Sequence, residues 1–325
     1  MRPAMTEPRP GTGLLYLITS GLLWGTGGLT GSLLSRVAGL PALSVAACRL
    51  TAGGVLIVVF LTVTGRRWPV GRAAWTRIAV IGVLAALYQS CYFIAVALTS
   101  VALATLVTIG TAPVIVLGVF WVTGRRVGRL APVAACLALT GLGLLVGLPS
   151  GFPQTAVLAS AGMAVLAAAG FAAVTLTGAR PVPGLDDLTV TGFGFALGGL
   201  ILLPLAAATG GLSFRPGLEA AGLLLALGTG PTAVAYTLYF RGLRRVAATT
   251  AALLTLLEPL TGTVLAAFVL GQRLSVTGMA GAATLLAAVA VTVRGSGEAA
   301  PRVRHQPEPD QPEPDQPEPD QLACR

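Results

Sequence analysis

The sequence contains no lysine and few charges of any kind. Only 10% of its 325 residues are charged and 54% are hydrophobic, whereas charged residues make up about 25% of a typical soluble domain. The mean hydropathy is +0.83. This composition excludes an ordinary soluble protein and predicts an integral membrane protein. The net charge of +9 comes from arginines in short loops between apolar runs, so we expect the lipid bilayer as a partner and no nucleic acid.

The sequence is also poor in residues that bind metals or form disulfides. His305 is its single histidine. The four cysteines, Cys48, Cys91, Cys136 and Cys324, show no paired spacing. Three of them fall inside apolar segments, where cysteine behaves as a small hydrophobic residue. We therefore predict no disulfide framework, no metal site and no cofactor.

Ten apolar segments are long enough to cross a bilayer, which requires about 20 apolar residues per helix. We place these segments at residues 13–33, 40–64, 74–96, 100–123, 129–148, 155–178, 187–209, 219–240, 246–270 and 275–293. The predicted fold class is therefore an all-α membrane protein with ten transmembrane helices.

The arginines are unevenly divided between the two sets of predicted loops. Cytoplasmic loops carry an excess of basic residues, and most of the arginines fall on one side if both termini are cytoplasmic. Only Arg36, Arg215 and Arg273 fall on the other side, and Arg49 lies within a span. Abundant Ala, Gly and Arg without Lys is typical of high-GC bacterial genomes. We expect a multi-pass protein of the bacterial cytoplasmic (plasma) membrane, with both termini inside.

The two halves of the sequence resemble each other at an offset of 146 or 147 residues. The stretch YFIAVALTSVALATLVTIGTAPVIVLGVFWVTGRR parallels YFRGLRRVAATTAALLTLLEPLTGTVLAAFVLGQR, which aligns Tyr92 with Tyr239 and Pro113 with Pro259. Each half has five spans, an odd number, so the second half must enter the membrane in the opposite sense. Such inverted repeats are typical of secondary transporters. The alternative is that helices rich in Ala, Leu, Val and Gly match by composition alone.

The repeat divides the chain into four parts. A cytoplasmic N-terminal segment (1–12) precedes the first five-helix repeat (13–148), and the second repeat (155–293) precedes a tail (294–325). The tail contains QPEPD three times between residues 306 and 320. Because acidic, Pro-rich sequence cannot bury a core, we expect a disordered cytoplasmic extension. It serves as a dispensable spacer or as a docking site for a partner.

Two charged residues lie deep inside predicted spans, Arg49 and Glu258. A charge at the centre of a membrane-spanning helix costs about 2.5–3.5 kcal/mol, so such residues face the bundle interior or a water-filled cavity. One hypothesis is that both border a central substrate cavity, where Glu258 meets an amine or a proton and Arg49 meets a carboxylate or phosphate. The other is that they only hold helices together, with Pro259 interrupting the helix beside Glu258.

Aromatic and amide side chains accompany these charges. Tyr88, Gln89, Tyr236 and Trp24 lie deep in their spans, and we predict that they line the same cavity. Tyr239 and Tyr92 are nearer to span ends, where aromatic residues are common at the membrane interface. The candidate site is therefore a substrate-binding or coupling site without catalytic residues.

Glycines spaced as G-x-x-x-G recur along the spans. The pairs are Gly21 with Gly25, Gly27 with Gly31, Gly143 with Gly147, and Gly194 with Gly198. Small residues at this spacing let helix backbones approach closely. We therefore predict helix packing at all four pairs.

Several of these stretches resemble the drug/metabolite transporter superfamily and, within it, the EamA type. The pieces are LLWGTGG, the spacing from Pro41 to Arg49, ALTSVALATLVTIGTAPV and LLEPLTGTVLAAFVLGQRLS, in an order that covers nearly residues 13–293. The family usually carries a Gly-Glu pair where this sequence has Arg125-Arg126 and Gly271-Gln272. The familiar acid is therefore missing from both halves.

The resemblance implies a function. Members of the superfamily move amino acids, nucleosides, nucleotide sugars and drugs, mostly outward. By resemblance, this protein is a secondary active transporter and exporter of small metabolites such as amino acids or drugs, working by alternating access. A proton is one candidate coupling ion, and a monomer and a homodimer both remain open.

Two other classes of function are left open by the sequence. A membrane-embedded lipid- or sugar-modifying enzyme would require clustered acids or histidines, and only Asp186 and Asp187 are adjacent, in a predicted solvated turn. A membrane scaffold would act through the acidic tail. We expect a protein that is not an enzyme.

Overall fold

The computed structural model describes residues 10–125, 127–147, 151–209, 211–270 and 275–298. Within these ranges the chain is helical, and a single isolated β-bridge joins Val182 to Leu185. The helices are α1 (Pro10–Ala38), α2 (Ala42–Val63), α3 (Arg72–Leu98), α4 (Val101–Val122), α5 (Ala131–Val146), α6 (Gln154–Gly178), α7 (Asp187–Thr209), α8 (Leu218–Leu227), a π-helix (Gly228–Val234), α9 (Ala235–Leu243), α10 (Ala248–Leu254), α11 (Leu257–Leu270) and α12 (Val276–Glu298). The predictions for the acidic tail, for Arg126 and for Gly271-Gln272 fall outside the described residues.

These elements form ten helical segments in the described ranges. The π-helix joins α8 to α9 without a break, and only Thr255 and Leu256 separate α10 from α11. Eight segments of this part of the chain are long and apolar enough to cross a membrane. The other two are α1, whose 29 residues include many Gly, Ser and Thr, and α5, which has 16 residues. The protein is therefore an all-α, multi-pass membrane protein.

Two prolines account for the irregular backbone of two helical segments in the second half, at the π-helix and at the break between α10 and α11. Proline has no backbone N–H and its ring clashes with the carbonyl four residues earlier. Pro231 lies within the π-helix. For Pro259, the carbonyl concerned belongs to Thr255, at the break between α10 and α11, and this carbonyl accepts a 2.9 Å hydrogen bond from the Glu258 N–H. Glu258 thus lies in the first turn of a helix that begins inside the segment.

Helices α2 and α7, which correspond under the repeat, pack in close contact and in opposite directions. Gly54 lies against the backbone of Ala196, and Gly199 lies against Thr51. Residue numbers therefore rise along one helix as they fall along the other. An added Cβ at Gly54 or Gly199 would overlap the facing backbone, so glycine is required for this approach.

Helices α5 and α12 are also a corresponding pair, and they pack in the same antiparallel way. Gly141 lies against Leu285, and Gly281 lies against Leu145. The remaining contacts between the halves are also reciprocal, because α1 packs against α9 and α11 while α6 packs against α3 and α4. First-half helices therefore mostly pack against second-half helices.

The predicted G-x-x-x-G packing is confirmed at the pairs Gly21–Gly25 and Gly194–Gly198. In the pair Gly27–Gly31 only Gly27 is closely packed, because a Cβ added at Gly31 comes no nearer than 3.7 Å to Val45. A Cβ added at Gly21 would lie 2.8 Å from Leu257 of α11, and Gly194 and Gly198 face α3 equally closely. Gly25 and Gly27 likewise contact Thr261 and Pro231. The prediction is wrong at Gly143 and Gly147, because neither has an atom within 4 Å of an added Cβ. In α5 the packing glycine is Gly141, two residues earlier.

Some aromatic residues near the helix ends are exposed, and others are buried inside the bundle. Trp68 and Trp75 are exposed and contact Phe193 with ring centroids 5.3 and 5.6 Å away. Tyr239, which the sequence assigns to the membrane interface, is instead 1% exposed and packs inside the bundle. The interface interpretation of Tyr239 is therefore wrong, because its helix face turns toward α1 and α6 rather than toward lipid.

Candidate functional site

A cavity of about 290 Å³ lies inside the bundle and is lined by all six predicted site residues. These are Trp24 of α1, Arg49 of α2, Tyr88 and Gln89 of α3, Tyr236 of α9 and Glu258 of α11. Four of them come from the first half, and Tyr236 and Glu258 come from the second. The structure therefore brings the predicted residues together in one place between the two halves.

The two charged residues face this cavity without contacting each other. In the described residues, the acid-base contacts within 4.0 Å join Arg66 to Asp186 and Arg244 to Asp187, so Arg49 and Glu258 form no ion pair. Both side chains are partly accessible from the cavity. The position of Glu258 in the first turn of α11 places its carboxylate near the positive end of a helix dipole, which favours an anion.

Three polar groups of the cavity wall lack a hydrogen-bond partner within the described part of the chain. They are the indole N–H of Trp24, Nε of Arg49 and Nε2 of Gln89, and all three atoms are buried. An unsatisfied buried donor costs about 1–3 kcal/mol. Because all three groups are donors, the wall is complementary to a ligand that carries acceptors.

Aromatic rings form the inner end of the cavity. The Trp24 ring lies 4.8 Å from Tyr236, 5.0 Å from Tyr239 and 6.0 Å from Phe171, measured between ring centroids. Tyr88 also lies 5.5 Å from Phe171. Edge-to-face packing at such distances stabilises aromatic clusters. Trp24 therefore connects α1 to the helices α6 and α9 of the second half.

The sequence failed to identify several further lining residues. Gly27, Gly28 and Gly31 line the cavity, although their spacing indicated only helix packing. Tyr92, which the sequence left open, also lines it, and its hydroxyl lies 2.8 Å from that of Thr105. The signal that was available is helical periodicity, because residues three, four and seven positions after Trp24 lie on the same face of α1.

A second, smaller cavity of about 20 Å³ adjoins the first one. It shares Trp24, Tyr88, Tyr236 and Glu258 with the larger cavity and adds Thr108 and Thr255, among others. The Thr108 hydroxyl donates to the Ala164 carbonyl at 3.2 Å, and the Thr255 hydroxyl donates to Ala252 at 2.7 Å. Glu258 therefore lies between an open cavity and a small extension beside the break after α10.

The cavity opens at one end of the bundle and is closed toward the other. Its lining includes exposed residues at the end of α1 and the starts of α2 and α4, namely Ser32, Ala42 and Val101. At the other end, the Tyr239 hydroxyl is 2.8 Å from that of Thr175, both buried. Further along, Gly242 packs on Leu17 and Gly178 on Phe240.

Metal ligands do not cluster in this site. Among the residues that the structure describes, no three His, Cys, Asp or Glu side chains lie close enough to hold an ion. The polar groups of the cavity are one guanidinium, one carboxylate, one amide, an indole, two serine hydroxyls and phenols. They suit reversible binding of a small polar molecule with an apolar part.

Comparison with known proteins agrees with this architecture. The family model described as EamA-like transporter family matches twice, at residues 11–147 and 158–294. The "Uncharacterized transporter YwfM" of Bacillus subtilis is 30% identical over 273 residues, which cover 84% of this chain and 90% of the relative. The "Uncharacterized inner membrane transporter YicL" of Salmonella typhimurium is 26% identical over 286 residues, covering 85% and 93%.

A solved crystal structure has the same fold. It covers 86% of this chain and 98% of its own, with a TM-score of 0.73 and 23% sequence identity. The two family matches together span most of the chain, and each covers one half of the bundle. This chain is a membrane transporter that belongs to the EamA-like transporter family.

Proposed function

We propose that this protein is a secondary active transporter that moves small metabolites, with outward export as its physiological direction, by alternating access through the central cavity. The observation that carries the proposal is a cavity between the two halves that is lined by Arg49 and Glu258, which have no ion-pair partner among the described residues. Secondary transporters bind substrate near the midplane, where their repeats meet. Transport in this proposal involves no chemical conversion of the substrate.

The packing of corresponding helices supports an inverted repeat. If two halves are related by a two-fold axis in the membrane plane, corresponding helices that touch must run antiparallel. The helices that meet at Gly54 and Ala196, and those that meet at Gly141 and Leu285, are antiparallel as this symmetry requires. The same two-fold relation explains why α1 packs against helices of the second half and α6 packs against helices of the first half. We infer ten membrane-spanning segments, grouped as 13–148 and 155–293, with both termini cytoplasmic.

The chemistry of the cavity favours amino acids among the substrate classes of the family. Arg49 suits a carboxylate and Glu258 suits an ammonium group, and a zwitterion between them would satisfy both. The aromatic wall around Trp24 accepts an apolar side chain. A volume of about 290 Å³ is at the lower end of the usual range for ligand pockets, about 300–1,000 Å³, and this favours an amino acid over a nucleotide sugar.

A cationic drug is the second candidate substrate. Glu258 supplies the counter-charge, and the faces of Trp24, Tyr88 and Tyr236 attract cations. Arg49 would then oppose binding, because it would remain unpaired beside a second positive charge. The two substrate classes therefore respond in opposite directions to removal of the Arg49 charge.

Flux measurements in vesicles test the proposal. Purified protein in liposomes would be given a panel of amino acids, nucleosides and cationic drugs, with and without a proton gradient. We expect saturable flux of at least one class, faster with the gradient than without it if a proton is the coupling ion. Flux equal to that of protein-free liposomes across the whole panel would refute the proposed transport activity.

A further inference from the structure

A cluster of charged residues lies at the end of the bundle opposite the cavity mouth. Asp187, the first residue of α7, accepts a 2.5 Å ion-pair contact from Nε of Arg244, directly after α9. The Asp187 and Arg244 side chains are 12% and 29% exposed. Arg244 also donates from Nη2 to the Leu185 carbonyl at 3.3 Å. The pair thus joins the end of α9 to the segment between α6 and α7.

Arg77 of α3 extends this cluster to the first half of the protein. Its Nη1 donates to the Thr177 carbonyl, in the last turn of α6, and to the Arg180 carbonyl at 2.8 Å. Backbone carbonyls at the end of a helix attract cations because they form its negative pole. Arg77 and Arg244 therefore hold the same segment from two sides, one from each half.

The cluster lies directly beyond the aromatic floor of the cavity. Phe240 packs against Gly178 and borders the same small pocket as Arg77, Asp187 and Arg244. One residue earlier on α9, Tyr239 contacts Trp24 at the inner end of the cavity. A path from the cavity to this end of the bundle must therefore separate α9 from the α6–α7 segment and break the cluster.

We propose that Arg77, Asp187 and Arg244 form a polar gate that keeps the transport pathway closed at this end and opens when α9 moves away from the α6–α7 segment. The inference rests on the proposed transport function. Charged groups suit a reversible gate, because their partial exposure lets water replace the broken contacts, whereas a wide apolar contact would lose its burial on opening. In the proposed orientation this gate faces the cytoplasm.

A neighbouring ion pair supplies a matched control. Arg66 contacts Asp186 at 3.5 Å, and both side chains are about half exposed, at 49% and 51%. Arg66 connects the end of α2 to the same α6–α7 segment, and this ion pair includes neither a residue of α9 nor Arg244. Loss of this pair removes a similar charge from the same surface without releasing the proposed gate.

The gate can be tested by cysteine accessibility, without knowledge of the substrate. Gly28 lines the cavity, and a Cβ added there meets no atom within 4 Å. In protein with its four native cysteines replaced by alanine, Gly28→Cys would be labelled with a membrane-impermeant maleimide. The reagent would be added separately to right-side-out and inside-out vesicles, so that each end of the pathway is sampled.

We expect rapid labelling from the mouth side and slow labelling from the gate side in protein with an intact gate. Arg244→Gln and Asp187→Asn should each accelerate gate-side labelling roughly three- to tenfold, and Arg66→Gln should leave it unchanged. The exchanged pair Asp187→Arg with Arg244→Asp should return it toward the original rate.

The proposed gate is refuted if Arg244→Gln and Asp187→Asn are labelled from the gate side no faster than Arg66→Gln. It is also refuted if the exchanged pair does not slow gate-side labelling relative to the single variants. Mouth-side labelling, measured in every variant, reports folding and access to the cavity independently of the gate. If it is fast while gate-side labelling does not change, the gate fails and the proposed transport function is untouched. If Gly28→Cys reacts from neither side, the cavity itself is not part of a pathway.

Discussion

Arg49 of α2 and Glu258 of α11 line one cavity from opposite halves of the protein without forming an ion pair. Opposite charges in a membrane interior usually pair with one another. Here each charge remains available, and Nε of Arg49 has no hydrogen-bond partner within the described residues. Burying two charges that do not pair costs stability, and the proposed zwitterionic substrate would offset that cost on binding.

Removing the charge of Arg49 should separate the two substrate classes. Hydrogen bonds to charged groups contribute about 1.5–3 kcal/mol, so Arg49→Gln should reduce flux of a carboxylate-bearing substrate roughly 10- to 100-fold. Flux of a cationic drug should be unchanged or increased. Arg72→Gln, at an exposed position at the start of α3, is the control. Unchanged amino-acid flux at normal protein level would remove Arg49 from the site.

Removing the charge of Glu258 tests its proposed contact with the ammonium group of the substrate. Glu258→Gln retains the shape and hydrogen-bonding capacity of the side chain but loses the charge and the ability to carry a proton. We expect at least tenfold slower flux of amine-bearing substrates and no acceleration by a proton gradient. The thermal unfolding temperature should not fall, since no ion pair is lost. Gradient-driven flux in this variant equal to that of the unaltered protein would exclude Glu258 from binding and coupling.

Gln89 offers a test in which stability and activity should move in different directions. The residue is 1% exposed, and its Nε2 has no partner in the described chain. Gln89→Met keeps a similar volume and removes the unsatisfied donor, so we expect unfolding free energy to rise by about 1–3 kcal/mol. Substrate affinity should fall. A loss of stability would indicate that the amide has a structural role instead.

Gly54 tests the close approach of α2 to α7. Alanine favours a helix over glycine by about 0.8–1.0 kcal/mol, but an added Cβ at Gly54 overlaps the Ala196 backbone. Overpacking of this kind costs about 1–3 kcal/mol, so Gly54→Ala should lower the unfolding temperature in detergent. Gly162→Ala is the control, because a Cβ there meets no atom within 4 Å. If the two variants behave alike, close packing does not set the stability of this pair.

Truncation after Glu298 tests the acidic tail. The residues that line the proposed pathway belong to α1–α12 and their connections. We expect full flux and normal membrane insertion without residues 299–325. Loss of a cellular phenotype with intact flux in liposomes would instead assign the tail to a partner. Loss of flux itself would contradict a dispensable spacer.

The sequence was sufficient to predict the helical segments and the six lining residues. Apolar run length fixes the segments, and the cost of burying Arg49 and Glu258 requires an interior cavity. Sequence could not place Tyr239 inside the bundle or distinguish Gly143 from Gly141, because both depend on helix rotation. Gly27 packs against Pro231 and also lines the cavity, whereas Gly28 lines the cavity without a close neighbour. Only the facing helices reveal which role a glycine has.

The central claim is that the cavity around Arg49 and Glu258 is the transport pathway. The most direct measurement is substrate protection of Gly28→Cys from a maleimide, followed by flux through the labelled protein. We predict that the transported compound slows labelling at concentrations near its half-saturation value and that labelled protein no longer transports it. Labelled protein that transports at the unlabelled rate, with no protection by substrate, would contradict the account.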